Sequence, residues 1–276
     1  MGPNLGEQPK PPIQGVRNLV AVGSGKGGVG KTTVSVNLAI ALSQIGNKVG
    51  LLDADVYGPN VPLMMGIRDQ PYAVDGRIQP LEQYNLKLMS MGFLSPGDRP
   101  LVWRGPMLNS TIQQFLRAVE WGDLDYLVID LPPGTGDVQL SLMQTSPVTG
   151  AIVVTTPSEV SLEDARKAVE MFRMMRVPVL GVVENMSYMT VPSTGERIDV
   201  FGRGGGKRTA EVMSVPFLGE IPLEPRVRIG GDTGRPITLL GEDDGTSKAF
   251  HDLARDVARR VGEGGGPAGP TISIED

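Results

Sequence analysis

The run Gly25-Lys26-Gly27-Gly28-Val29-Gly30-Lys31-Thr32 fits the pattern G-x-x-x-x-G-K-[ST], and its residue types suit one chemistry, the holding of a phosphate chain. Glycines let the backbone curl so that several N–H groups face an anion, and the start of a helix adds the positive end of its dipole. Lys31 is placed to reach the outer phosphates. The hydroxyl of Thr32, followed by Thr33, is a ligand for Mg²⁺. Lys26 adds a second cation that folding does not require, a mobile charge available to the same phosphates.

Carboxylates at two strand ends complete the constellation. The apolar run Lys48-Val49-Gly50-Leu51-Leu52 ends in Asp53-Ala54-Asp55, and Leu124-Asp125-Tyr126-Leu127-Val128-Ile129 ends in Asp130. Carboxyl ends of parallel strands face the ligand crevice of an open α/β sheet. Asp55 is the candidate for orienting or activating an attacking water and for sensing Mg²⁺, while Asp53 reads equally well as a solvated strand-end carboxylate. Asp130 suits the holding of Mg²⁺, commonly through water. In Leu131-Pro132-Pro133-Gly134-Thr135-Gly136-Asp137, Gly134 permits close backbone approach to a γ-phosphate. Asn185, just past Val177-Pro178-Val179-Leu180-Gly181-Val182-Val183, offers a donor and an acceptor to a base. The guanine-reading pattern Asn-Lys-x-Asp is absent, which favours adenine and ATP. Lys26, Lys31 and Asp55 are thus the catalytic candidates.

These residues need strands and helices to place them. Leu19-Val20-Ala21-Val22 precedes the glycine run, and Val34, Leu38, Ala41, Leu42 and Ile45 follow it at helical spacing. Strand-like runs then alternate with helical ones, among them Ile112 to Val119, Ala151 to Thr155 and Leu162 to Met175. That alternation predicts an α/β fold, a single P-loop domain with a mostly parallel sheet and helices on both faces. Gly66 to Pro100, broken by Asp75-Gly76 and Pro96-Gly97, predicts a hairpin-like excursion that returns to the sheet. Arg104, in Trp103-Arg104-Gly105-Pro106, suits a phosphate or interface contact as well as a surface ion pair. Val215 to Gly219 is a candidate last strand, with Ile221 to Arg226 a loop beside the base. A final helix is expected from Thr246 to Val261, its stripe Phe250, Leu253, Ala254, Val257 and Val261 turned inward and His251 off the stripe, in solvent. Residues 1–17 read as a disordered lead-in, 18–261 as the folded domain, and 262–276 as a disordered tail.

Composition narrows the chemistry further. The 276 residues contain no cysteine and one histidine, which removes thiolate catalysis, disulfides and cysteine-ligated clusters from this chain and leaves little for histidine-based zinc chemistry. A formal net charge of −5 gives no reason to expect nucleic-acid binding through bulk electrostatics. No apolar run is long enough to span a membrane, and Met1 to Pro12 lacks the apolar core of a secretory signal, so a cytoplasmic location with no membrane partner is expected.

In the form Lys26-Gly27-Gly28-Val29-Gly30-Lys31-Thr32 the glycine loop resembles the deviant Walker A motif of the MinD/ParA/nitrogenase-iron-protein group of ATPases. That resemblance implies a homodimer with ATP at its interface, because the extra lysine of the group typically crosses to the partner's nucleotide. With Asp53-Ala54-Asp55-Val56-Tyr57-Gly58-Pro59, Trp103-Arg104-Gly105-Pro106, Asp130 to Asp137 and Glu184-Asn185-Met186-Ser187 in the same order, the chain resembles the Mrp/ApbC family over Val16 to Val261. The resemblance implies slow ATP hydrolysis with Mg²⁺, a role in iron–sulfur cluster assembly, and assembly or recipient apoproteins as partners. The family's cluster-binding Cys-x-x-Cys falls on Val191-Pro192-Ser193-Thr194, where both thiolates are missing. Hydroxyls are hard, weakly acidic ligands and do not replace soft thiolates at iron. A ParA/MinD-like positioning switch is the alternative, disfavoured by the acidic tail and net charge.

Overall fold

The computed structural model describes residues 10–94 and 105–264. Short apolar runs rich in Val, Leu and Ile become strands buried on both faces, and amphipathic runs become the helices that cover them. In chain order the elements are β1 (Val16–Gly23), α1 (Lys31–Gln44), β2 (Val49–Asp53), α2 (Val61–Met64), β3 (Tyr72–Val74), β4 (Arg77–Gln79), β5 (Leu81–Gln83) and β6 (Leu86–Ser90). After the undescribed stretch come α3 (Gly105–Ala118), β7 (Leu124–Asp130), α4 (Asp137–Thr145), β8 (Gly150–Thr155), α5 (Glu159–Met174) and β9 (Val179–Glu184). The chain continues through β10 (Met189–Thr190), β11 (Arg197–Ile198), α6 (Gly205–Val212), β12 (Phe217–Glu220), α7 (Pro225–Asp232) and α8 (Gly245–Gly264).

The main sheet has eight strands in the order β12-β9-β8-β1-β7-β2-β6-β5, all parallel except β5. One face is packed by α1 and α8, with Leu38, Leu42, Phe250 and Val257 against Val20, Leu51 and Val128. The other is packed by α3, α4 and α5, with Phe115, Leu142 and Phe172 against Leu19, Leu52 and Ile129. The sheet therefore has helices on both faces, as expected. Register sets the site: Val22 pairs with Asp130 and Asp53 with Asp130, so the ends of β1, β7 and β2 lie side by side.

The excursion after Gly66 is hairpin-like as expected, with a small antiparallel pair, β3 with β4, before β5 and β6 return to the sheet edge. Other expectations need adjustment. Sheet structure begins at Val16, with Ile13 buried ahead of it and Lys10 Nζ donating to the Met143 carbonyl at 2.5 Å, so part of the expected lead-in belongs to the fold. Helix α8 runs past Val261 to Gly264, through Gly262. Trp103 and Arg104 lie outside the described residues, as does the rest of the expected tail. Among the described residues no helix is long and apolar enough to cross a membrane.

The placement of His251 in solvent is overturned: it is 2 % exposed, with Nδ1 at 2.9 Å from the Ser247 carbonyl and Nε2 at 2.8 Å from the Gln44 side chain. Helix α8 is buried along a wider arc than its apolar stripe, since it packs against α1 as well as the sheet. A buried ring with both nitrogens engaged is a structural link between the two helices. His251→Ala is expected to lower unfolding stability by about 2 kcal/mol, read as a fall in the urea midpoint with the m-value unchanged.

Candidate functional site

Everything at the sheet's carboxyl edge converges on Asp130. Its side chain is fully buried, and it accepts from the Thr32 hydroxyl at 2.7 Å and from the Ser35 hydroxyl at 2.7 Å. Lys31 Nζ lies 2.8 Å from Asp130 Oδ1, 3.6 Å from Asp55 Oδ2 and 3.4 Å from Thr32 Oγ1. Strand β7 supplies the aspartate and the first turn of α1 supplies Lys31, Thr32 and Ser35. Register alone brings them together, because β1 and β7 are neighbours and α1 leaves directly from the loop after β1.

The loop between β1 and α1 is held open by glycine. Gly30 caps α1 in the left-handed region at φ 81°, and a Cβ there would stand 2.1 Å from Asn185 Nδ2. Gly25 is needed for a different reason: a Cβ on it would meet the Asp164 carbonyl oxygen at 2.1 Å, so the loop can lie against α5 only without a side chain. Beside the loop is a cleft of about 670 Å³. Lys26, Gly27, Gly28, Gly30, Lys31, Thr32, Thr33, Asp55 and Asn185 line it, so most of the sequence-selected residues share one cavity. Val29 is buried behind them, and Asp130 sits beneath Lys31 and Thr32.

Two of the selected residues also make contacts that the sequence did not anticipate. The Asn185 side chain, selected as a base contact, donates through Nδ2 to the Val29 carbonyl at 2.8 Å, so it ties β9 to the glycine loop. The Gly134 N–H, selected for a γ-phosphate, donates to the Ser24 carbonyl at 2.9 Å. Both contacts hold neighbouring loops onto the cradle, which local sequence does not reveal.

The two aspartates at the end of β2 differ sharply. Asp53 is fully buried and accepts from Ser90 Oγ at 2.8 Å, Asp55 N at 3.1 Å and Val61 N at 3.3 Å, so it is no solvated strand end. Burial, with the Asp130 carboxylate next to it, pushes its pKa up to about 8. Asp55 faces the cleft, its Oδ1 accepting from Tyr57 N at 3.1 Å; burial raises its pKa and the Lys31 ammonium pulls it back. Sequence reasoning missed Ser35, although it lies three residues after Thr32 and so on nearly the same helix face. On the far wall of the cleft, the expected loop beside the base supplies Leu223 and Glu224, whereas Met64 from α2 and Val227 and Arg228 from α7 were missed.

A glycine loop between the central strand and its helix, with an aspartate on the neighbouring strand holding the loop's Lys and Thr, defines a P-loop nucleotide-binding protein. A family model described as "ParA: NUBPL iron-transfer P-loop NTPase" matches residues 15–258. The chain is 52 % identical over 254 residues to the iron–sulfur cluster carrier protein of Deinococcus radiodurans, a match covering 91 % of this chain and 72 % of that one. It is 47 % identical over 253 residues to the iron–sulfur cluster transfer protein NUBPL of Mus musculus, covering 91 % and 79 %. Among solved structures, the nucleotide-binding protein of Archaeoglobus fulgidus in complex with ADP aligns with a TM-score of 0.73 and 38 % identity, covering 81 % of this chain and 88 % of that one. The MinD protein of Pyrococcus horikoshii complexed with Mg-ADP aligns at 0.64 and 25 %, covering 90 % and 98 %. The chain belongs to the Mrp/NUBPL iron–sulfur cluster carrier family of ParA/MinD-type P-loop NTPases.

Asp53 gives this site a testable pH signature. Its native carboxyl keeps a proton up to about pH 8, against 3.8 for an ordinary aspartate. Between those values the native state binds more protons than the unfolded chain, so this group's contribution to stability falls as pH rises. Urea unfolding of the nucleotide-free protein across that window is expected to show the decline in wild type and a flatter profile in Asp53→Asn. An unchanged slope in the variant would count against the assignment.

Proposed function

We propose that the chain is a Mg²⁺-dependent ATPase acting in iron–sulfur cluster assembly as a homodimer with ATP at the interface, hydrolysing ATP slowly to ADP and phosphate. The observation that carries the reading is the Asp130 cluster, in which a lysine and a threonine hydroxyl are held at the mouth of a glycine cradle. The donor set fits the cation, since the Thr32 hydroxyl and the Asp130 and Asp55 carboxylates are hard oxygen ligands gathered at one end of the cleft. Mg²⁺ there supplies a counter-charge for the outer phosphates. The cradle also has room, because a Cβ on Gly27 or Gly28 would meet nothing within 4 Å.

The chain's own residues then divide the work. Loop N–H groups bind the phosphate chain, and Lys31 exchanges Asp130 for a phosphate oxygen. Asp55, facing the cleft beside Lys31, orients the water for in-line attack. Lys26 is half-buried on the cleft wall and takes no part in the Asp130 cluster, which leaves its ammonium available to a partner's nucleotide. The slot between Met64, Leu223 and Val227 suits a planar apolar base.

The cluster itself is cargo, and these residues do not fit it. Val191 and Thr194, the positions that the family resemblance assigns to its cysteines, lie in the surface hairpin between β10 and β11, and no thiolate exists anywhere in the 276 residues. The proposed role is therefore a nucleotide-driven partner in cluster transfer, with thiolates supplied by another chain. A positioning switch of the MinD kind is less well supported, since identity is 25 % there against 52 % for a carrier.

Lys31→Ala is expected to weaken ATP and ADP binding by about a hundredfold or more, whereas Asp55→Ala keeps binding and loses about 10²-fold in turnover; equilibrium binding and phosphate release separate the two. ATP-dependent dimerisation should vanish in Lys26→Ala. Anaerobic reconstitution with iron and sulfide is expected to leave this chain without a cluster by iron content and visible absorbance. Stoichiometric iron retained after desalting would contradict the cargo-free reading.

A further inference from the structure

The loop after Asp130 carries Pro132 and Pro133, so its backbone has carbonyls to satisfy and few donors nearby. Gln139, in the first turn of α4, answers that need. It is 2 % exposed, and its Nε2 lies 2.8 Å from the Pro132 carbonyl oxygen, 3.1 Å from that of Pro133 and 3.2 Å from that of Gly134. One amide nitrogen has two hydrogens, so three carbonyls share two donors.

The consequence falls on the opposite side of the loop. A planar trans peptide points its N–H away from its C=O. Turning the Pro133 carbonyl toward Gln139 therefore turns the Gly134 N–H the other way, and there it meets the Ser24 carbonyl at 2.9 Å, next to the glycine cradle. Turning the Gly134 carbonyl toward Gln139 likewise aims the Thr135 N–H away from α4.

We propose that Gln139 is a positioning residue: by holding the carbonyls of Pro132, Pro133 and Gly134 on the α4 side, it presents the Gly134 N–H to the phosphate end of the cradle and lets the site tell a nucleoside triphosphate from a diphosphate. Ser24 accepts that N–H here, and the terminal phosphate of a triphosphate takes its place. Gln139 itself touches no phosphate and acts only through the loop. The inference rests on the ATPase reading for its nucleotide, and its test does not require turnover.

Gln139→Met keeps the length and removes the donor; Gln139→Glu keeps the shape and sets an acceptor against three carbonyls. ADP affinity, affinity for a non-hydrolysable ATP analogue, and kcat and KM for ATP are measured in both variants and wild type. The expected result is ADP affinity within about twofold of wild type, which also reports a folded cradle, with the preference for the analogue over ADP falling about tenfold. In the same variants kcat drops with KM little changed, more in Glu than in Met. An unaltered preference for the analogue, or an equal loss for both nucleotides in a folded variant, overturns the proposal. A wild type that binds nucleotide without turnover overturns the ATPase reading alone, and the binding comparison still decides this one. Should neither variant fold, amide exchange of wild type decides. A Gly134 amide protected without nucleotide, and more strongly with the analogue than with ADP, supports the proposal; an unprotected amide in all three states overturns it.

Discussion

The buried pair of Lys31 and Asp130 is the constraint on which the rest of the site depends. Taking both charges out of water costs several kcal/mol per ion, and the 2.8 Å contact between them offsets this only if the remaining lone pairs are satisfied. Thr32 and Ser35 do that for Asp130, each at 2.7 Å. Removing Lys31 leaves the Asp130 charge buried without its counter-ion, and removing Thr32 takes the donor from Oδ2, while Ser35 shares Oδ1 with the ammonium. The end of β7, the first turn of α1 and the loop between β1 and α1 are therefore fixed by one another.

The same arrangement is electrostatically unfinished. Asp53, Asp55 and Asp130 surround a single ammonium, and burial raises the pKa of both Asp53 and Asp55. A divalent cation inverts such a local balance, favouring ionised carboxylates and freeing the lysine for phosphate. Asp53 takes a different part from its neighbours. It accepts the N–H groups of Asp55 and Val61, and so secures both ends of the loop that carries Asp55. Asp53, fully buried, thereby holds the loop that places Asp55 in the cleft.

What the sequence disclosed and what it hid divide along a physical line. Strand runs, the glycine loop and the strand-end aspartates are local signals, with chemistry carried by residues adjacent in the chain; Lys31, Thr32 and Asp55 share one cavity, with Asp130 bonded to the first two beneath it. Contacts between distant segments left no local trace. Nothing local to Asn185 shows that its side chain grips the Val29 carbonyl, 156 positions earlier in the chain. That Ser24 accepts the Gly134 N–H is likewise invisible in the local sequence. His251 looked solvent-facing because the apolar stripe of α8 records its packing on apolar neighbours but not its polar packing against Gln44. The wall formed by α7 carries no motif at all, being built from side chains of ordinary type.

The surface hairpin explains how the fold can be kept while cluster ligands are lacking. Val191 N bonds to the Glu196 carbonyl at 2.9 Å, and the Arg197 guanidinium stacks 4.1 Å above the Tyr188 ring while pairing with Asp199 and Glu220. Its shape is set by these contacts, so thiolates and metal are not needed to form it. The hairpin nonetheless remains joined to the nucleotide end. Asn185 grips the Val29 carbonyl, and within three residues, by way of Ser187 bonded to Ile221, the chain enters Tyr188. The glycine loop thus has a short covalent and hydrogen-bonded connection to the surface hairpin that carries Val191 and Thr194. The Arg197 contacts give that hairpin its stiffness.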